Sequence, residues 1–230
     1  VGYHTITANI IAASKIDQSA KENSLTISTS NLNGQAVGVE GTLEVSKLIS
    51  PDQPLRKRPW KAPFYQQLSK EKFKELYPHD AYNNEDDYRS WEKGKVVFTK
   101  TISTEGTENT SKGSEKVLLN NIKKWEPGKY IIEFTSKDNY GQKVKAAQYV
   151  EVYDSKEKTV SDNQLFEIYT DKSSYASGEQ VLLTLGTSAK DMTVTLDIEK
   201  DHKIVETKII NLSDECKVIK LPVNKEDIGG

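Results

Sequence analysis

Several short stretches of this chain alternate apolar and polar positions, and a period of two places successive side chains on opposite faces of a strand. In Ser24–Ser30, Leu25 and Ile27 share one face. Val37, Val39, Gly41, Leu43 and Val45 continue the rhythm, with Glu40, Thr42 and Glu44 opposite. The same reading predicts strands at Tyr3–Ile11, Lys95–Ser103, Lys116–Leu119, Lys129–Ser136 and Lys143–Val152. Turn formers lie between them: Asn33-Gly34, Pro127-Gly128 and Tyr140-Gly141. Asn-Gly supplies positive φ at low steric cost, so Asn33-Gly34 is expected to be a tight hairpin turn. Strands at this spacing predict an all-β fold, with an immunoglobulin-like or fibronectin III-like sandwich over residues 1–155. The absence of βαβ alternation argues against a parallel α/β sheet.

Residues 49–94 interrupt the pattern. They hold Pro51, Pro54, Pro59, Pro63 and Pro78 together with eight of the 19 aromatic residues. Proline removes ladder donors, so this stretch is no central strand, and it is too aromatic for a disordered linker. It is expected to be an insertion folded back onto the first sandwich. Within it, Ser69 has the character of a helix N-cap, with Leu68 and Phe73 placed to form a hydrophobic staple. Phe73, Leu76 and Tyr77 share a helical face, and Pro78 limits the helix to about two turns. That face is expected to pack on the sheet.

Asp154–Asn163 is polar apart from Val160 and is expected to be a linker. A second strand series follows at Leu165–Thr170, Gln180–Thr187, Met192–Glu199, Lys203–Asn211 and Lys217–Leu221, with a turn at Tyr175–Glu179. Residues 156–230 therefore form a second expected sandwich. Five strands fall short of the usual seven, so this unit reads as truncated, or as completed by residues outside the chain. Val1 enters strand-like sequence without an initiator Met or a signal peptide, and the chain is expected to be an internal fragment. Charge separates the two parts: residues 156–230 carry a net −4 and the remainder +2.

Composition removes several classes of function. One cysteine in 230 residues excludes an internal disulfide framework and a Cys-rich zinc site. A formal charge of −2 gives no reason to expect a nucleic-acid partner. No apolar run approaches the roughly 20 residues that span a bilayer, so no membrane insertion is expected. His4, His79 and His202 are scattered, without ligand-like neighbours. Asp80, Glu85, Asp86 and Asp87, with Asn83 and Asn84, form an oxygen-rich cluster. It lacks the alternating ligand positions and central glycine of a calcium loop, and is read as a solvated face.

Arg56-Lys57-Arg58 with Trp60 and Lys61 is the one compact basic and aromatic patch. Such patches can hold single strands or glycans. Here, bracketed by Pro54 and Pro59, a packing role with arginine stems over Trp60 is expected. Cys216 opens a strand and is expected to be a structural thiol. There is no nucleophile elbow and no glycine-rich phosphate loop. The sequons at Asn109 and Asn211 decide nothing. No catalytic, cofactor-binding or metal-binding residue is therefore assigned, and no cofactor is expected.

Further stretches carry a family resemblance. They are Asn31–Gln35, the run Leu76–Asp80 through Tyr82 and Glu85 to Trp91–Gly94, Trp125–Tyr130, and Asp138–Gln142. In the second part they are Tyr175–Glu179 and Leu221-Pro222-Val223 through Gly229-Gly230. With these the chain resembles the bacterial alpha-2-macroglobulin family, large proteins built from tandem macroglobulin-like sandwich domains.

The resemblance implies a non-catalytic scaffold segment of a protease inhibitor whose parent is cleaved by an attacking protease and changes shape to trap it. Its implied partners are neighbouring macroglobulin-like domains and, through the parent, target proteases. The implied location is periplasmic or cell-surface, with a secreted and lipid-anchored parent as one form. Cys216 is followed by Lys217, Val218 and Ile219 where the family's thioester motif requires Glu-Gln two and three positions on, so no thioester is carried over. Residues 49–94 are too aromatic to be assigned as a protease bait. A cell-surface adhesion or glycan-binding module is the alternative, which exposure of Trp60, Tyr65, Tyr82 or Trp91 in a shallow groove would favour and burial of those rings would disfavour. Three titratable groups converging in a deep pocket would point to an enzyme instead.

Overall fold

The computed structural model describes residues 5–106, 112–138, 140–154 and 158–227. The chain is all-β, with thirteen strands and one short α-helix among these residues. It divides into two compact units: residues 1–50 with 88–155, and residues 51–87 with 156–230. His4, the sequon at Asn109 and the Gly229-Gly230 ending lie outside the described residues.

The first unit contains β1 (Ile6–Ile11), β2 (Lys15–Asp17), β3 (Ser24–Asn31), β4 (Glu40–Leu48), β5 (Lys93–Ser103), β6 (Ser114–Leu118), β7 (Gly128–Lys137) and β8 (Lys143–Tyr153). Two sheets result, in the orders β1-β3-β6 and β2-β8-β7-β4-β5. Their inner faces follow the alternation. Ile6, Ile10, Leu25, Ile27 and Val117 come from one sheet, and Leu43, Val45, Ile102, Tyr130, Ile132, Phe134, Val150 and Val152 from the other. Burying that many large side chains, at about 1.5–3 kcal/mol each, makes this sandwich the stable body of the chain.

Gly41 has a packing reason: a Cβ there would lie 2.5 Å from the Phe134 ring and 2.6 Å from the Thr135 carbonyl oxygen. Tyr130 is fully buried near the start of β7, against Trp125 at 5.3 Å between ring centroids. Its hydroxyl donates to the Glu126 carbonyl four residues upstream at 2.7 Å. This geometry is the tyrosine corner of immunoglobulin-like sandwiches.

Two local expectations are corrected. The turn at Asn33-Gly34 forms, with Gly34 at φ +78° and Asn31 Oδ1 accepting from the Asn33 and Gln35 amides at 3.0 Å. It does not join a hairpin ladder: after one bridge, Ser30 to Ala36, the chain crosses to the other sheet. The crossing is held by a buried clasp. Thr29 Oγ1 lies 2.7 Å from Thr104 Oγ1, and the Val39 amide donates to Thr104 Oγ1 at 3.0 Å. This clasp is why β4 begins at Glu40 rather than Val37. The hairpin at Tyr140-Gly141 joins β7 and β8, with Asp138 Oδ1 accepting from the Tyr140 and Gln142 amides.

The second unit contains β9 (Glu167–Thr170), β10 (Gln180–Thr187), β11 (Met192–Lys200), β12 (Lys203–Leu212) and β13 (Glu215–Pro222). The sheets are β13-β10-β9 and the ribbon β11-β12. Leu183, Leu185, Ile210 and Leu212 form a small core, with Val194, Leu196, Ile219 and Leu221 half-buried against it.

Residues 158–163, expected as part of a linker, belong to this unit. Val160 is buried, and the Lys158 carbonyl accepts from the Cys216 amide at 2.7 Å. The insertion between β4 and β5 also belongs here rather than on the first sandwich. Leu55 bridges in parallel to Gln164, and Asn163 Nδ2 donates to the Pro51 carbonyl at 2.7 Å.

Candidate functional site

The insertion brings most of the singled-out residues together. Helix α1 (Lys70–Leu76) starts where expected, with Ser69 Oγ accepting from the Lys72 amide at 3.3 Å. Pro78 follows its C-cap, Tyr77. The aromatic face does not meet a sheet. Phe73 packs on Tyr77 at 5.2 Å and edge-on to Tyr82 at 5.4 Å, so the helix is stabilised by the loop that follows it.

The acidic cluster lies in that following loop and holds the loop that precedes the helix. Arg56 forms a two-pronged contact with Asp80, its Nη2 reaching Oδ2 at 3.0 Å, and the Arg56 amide donates to the His79 carbonyl at 2.9 Å. Hydrogen bonding to Asp80, then its charge, raises the Arg56 pKa further. The Arg58 amide donates to Asp86 Oδ2 at 2.9 Å, and its guanidinium donates to the Ala81 carbonyl.

Glu85 is partly buried, which pushes its carboxyl up. The Asn83 amide at 2.6 Å and Lys70 at 3.3 Å outweigh that and hold it below the usual carboxylate range. At the far end, Gln66 donates to the Tyr82 carbonyl and the Tyr82 hydroxyl donates to the Leu68 carbonyl at 2.8 Å. The cluster is thus more than the solvated face expected of it: Asp80 and Asp86 fix two loops to each other, and Glu85 ties its loop to Lys70 at the start of the helix. Among the described residues no group of three His, Cys, Asp or Glu side chains is arranged to hold a metal ion.

The expected packing of arginine stems over Trp60 does not occur. Both guanidinium groups turn to the 80–86 loop, and the Trp60 ring is 67% exposed. Phe64 is wholly exposed and Tyr65 is 78% exposed, whereas Tyr82 and Trp91 are half-buried. Residues 57–65 contain no helix or strand. Proline and aromatic content, read from sequence as a sign of packing, here belongs to a loop held at both ends and open in the middle.

The remaining candidates are dispersed. His79 Nδ1 lies 2.9 Å from the Pro54 carbonyl, and His202 is exposed at 3.8 Å from Glu199. Cys216 is half-buried, and a Cβ on Gly186 would come within 2.7 Å of its Sγ, which accounts for glycine there. A depression of about 400 Å³ lies beside Asn211, Asp191, Thr193, Glu215 and Lys217. Four of its lining residues bond to one another. Lys217 lies 3.0 Å from Glu215 and donates to the Asn211 carbonyl at 2.6 Å, and Thr193 Oγ1 lies 3.1 Å from Asn211 Oδ1. Lys217, first by its hydrogen bond, draws the Glu215 carboxyl below its ordinary value. No helix among the described residues is long and apolar enough to cross a membrane.

No protein-family profile and no curated protein matches the chain. Solved structures do. The chain is similar to the alpha-2-macroglobulin of Escherichia coli in its native conformation, at 12% identity and a TM-score of 0.41. It is likewise similar to the trypsin-activated form of that protein, at 13% and 0.38; each likeness covers 96% of this chain and 15% of the other. A four-repeat extending region of a large adhesion protein is similar at 14% identity and a TM-score of 0.37, covering 96% of this chain and 41% of that one. The chain thus spans less than half the length of each of these structures.

Proposed function

We propose that this chain is a pair of non-catalytic scaffold domains from an alpha-2-macroglobulin-like protease inhibitor of the periplasm or cell surface. The parent takes the cut of an attacking protease and traps it; these sandwiches supply frame and contact surface. One observation carries the reading: the residues of the family resemblance sit at structural joints. Trp125–Tyr130 builds the tyrosine corner. Asp138–Gln142 contains the β7–β8 turn. The run from Leu76 to Glu85 includes the Asp80 carboxylate and the His79, Ala81 and Tyr82 carbonyls that hold the insertion loop. Motif positions used for joints are what a scaffold requires.

Trypsin added to the parent protein should produce a discrete early cleavage. Ragged, progressive digestion from the outset would defeat the proposal. Exposed Trp60 and Tyr65 favour the second reading, an adhesion or glycan-binding module, whereas half-buried Tyr82 and Trp91 do not. A glycan array probed with this chain addresses it: saturable binding that Trp60→Ala abolishes supports that reading, and no binding removes it.

A further inference from the structure

We propose that residues 57–65 form a docking loop for an anionic lipid surface, with the Trp60, Phe64 and Tyr65 rings entering the interfacial layer and Lys57 and Lys61 meeting headgroup phosphates. The inference is independent of protease trapping and rests on three features of the loop.

The loop is mounted. Arg56 and Arg58 tie its first end to Asp80, Ala81 and Asp86, while Gln66 and the Leu68 carbonyl tie its second end to Tyr82. Between these ties Pro59 and Pro63 fix two φ angles. The tip is therefore largely pre-organised, which reduces the ordering cost of contact.

The tip is apolar outward. Trp60, Phe64 and Tyr65 are displayed within six residues, and Phe64 has no polar atom to satisfy in water. Trp and Tyr place an apolar ring and a polar edge at the boundary of water and hydrocarbon.

The charge is one-sided. Residues 53–70 contain Arg56, Lys57, Arg58, Lys61 and Lys70 and no Asp or Glu. Lys70 pairs with Glu85, and the arginines hold the loop. Lys57 and Lys61 are exposed and form no ion pair with a described carboxylate. Lysine stems can lie along an apolar layer while the ammonium reaches its polar surface, and anionic bilayers attract such groups.

The test uses the full 230-residue chain and phosphatidylcholine vesicles with about 30% phosphatidylglycerol, at physiological ionic strength. The expected result is co-sedimentation with a blue shift of tryptophan emission. That shift reports Trp60, because Trp125 is buried and Trp91 half-buried. Trp60→Phe keeps binding and loses the shift. The double variant Trp60→Ala with Phe64→Ala weakens vesicle affinity by about tenfold or more, and so does Lys57→Glu with Lys61→Glu. All four positions are solvent-exposed, and circular dichroism confirms that the variants stay folded. No sedimentation with anionic vesicles, or sedimentation indifferent to both double variants, overturns the proposal. Binding to polygalacturonate but not to vesicles would also overturn it, making the loop a polysaccharide contact.

Discussion

At the scale of single residues, a few contacts inside the first sandwich can each be tested by one substitution. Removing the Tyr130 hydroxyl leaves the Glu126 carbonyl without its donor, so Tyr130→Phe should cost about 1–2 kcal/mol in urea unfolding. Gly41→Val should cost more, about 3 kcal/mol, because both the Phe134 ring and the Thr135 backbone would have to give way. Glu151 sets a pH dependence. Its burial pushes the carboxyl up, but hydrogen bonding and charge from Lys129, with Lys15 at 3.4 Å, outweigh that and hold it below its ordinary value. A depressed folded value gives stability that is present above the unfolded value, about 4.3, and is lost as pH falls through the folded one. Glu151→Gln should therefore cost about 1–2 kcal/mol at pH 7. The gap from wild type should close on acidification; a gap independent of pH would contradict the assignment.

At the scale of elements, alternation made the strands legible, since each half-buried segment carries its own period in its own residues. β2 was missed because Lys15–Asp17 is three residues with one apolar side chain, and it forms only by parallel pairing to β8. The helix was legible from Ser69 and Pro78, but its packing partner was not, because nothing local in Phe73 points to Tyr82. Likewise Trp60 reads as a packing residue until the arginines beside it prove to be committed to Asp80 and Ala81. The loop between these ties should be the first site of nicking in the isolated chain, since it is exposed and irregular. Trypsin should cut after Lys57 or Lys61, with Arg58 protected by Pro59. Mass spectrometry of early fragments checks this, and Asp80→Ala should accelerate the cut by releasing Arg56. Initial cleavage within β7 or β8 would be incompatible with the observed packing.

At the scale of the whole molecule, the two units differ in how their sequence is distributed. The first surrounds an insertion whose contacts belong to the second. Sequence order hid that allegiance, because it depends on Leu55 meeting Gln164 and Pro51 meeting Asn163 across more than a hundred residues. The insertion leaves the first sandwich between Ile49 and Glu92, which are joined at 2.9 Å. Replacing residues 51–87 by a short Gly-Ser linker should leave hydrogen-exchange protection in β7 and β8 unchanged and lower it in β10 and β12.

The functional account itself is tested most directly on the parent protein mixed with trypsin, by comparing hydrolysis of casein with hydrolysis of a small chromogenic peptide. The account predicts that casein hydrolysis collapses while peptide hydrolysis persists. Equal retention of both activities would contradict it.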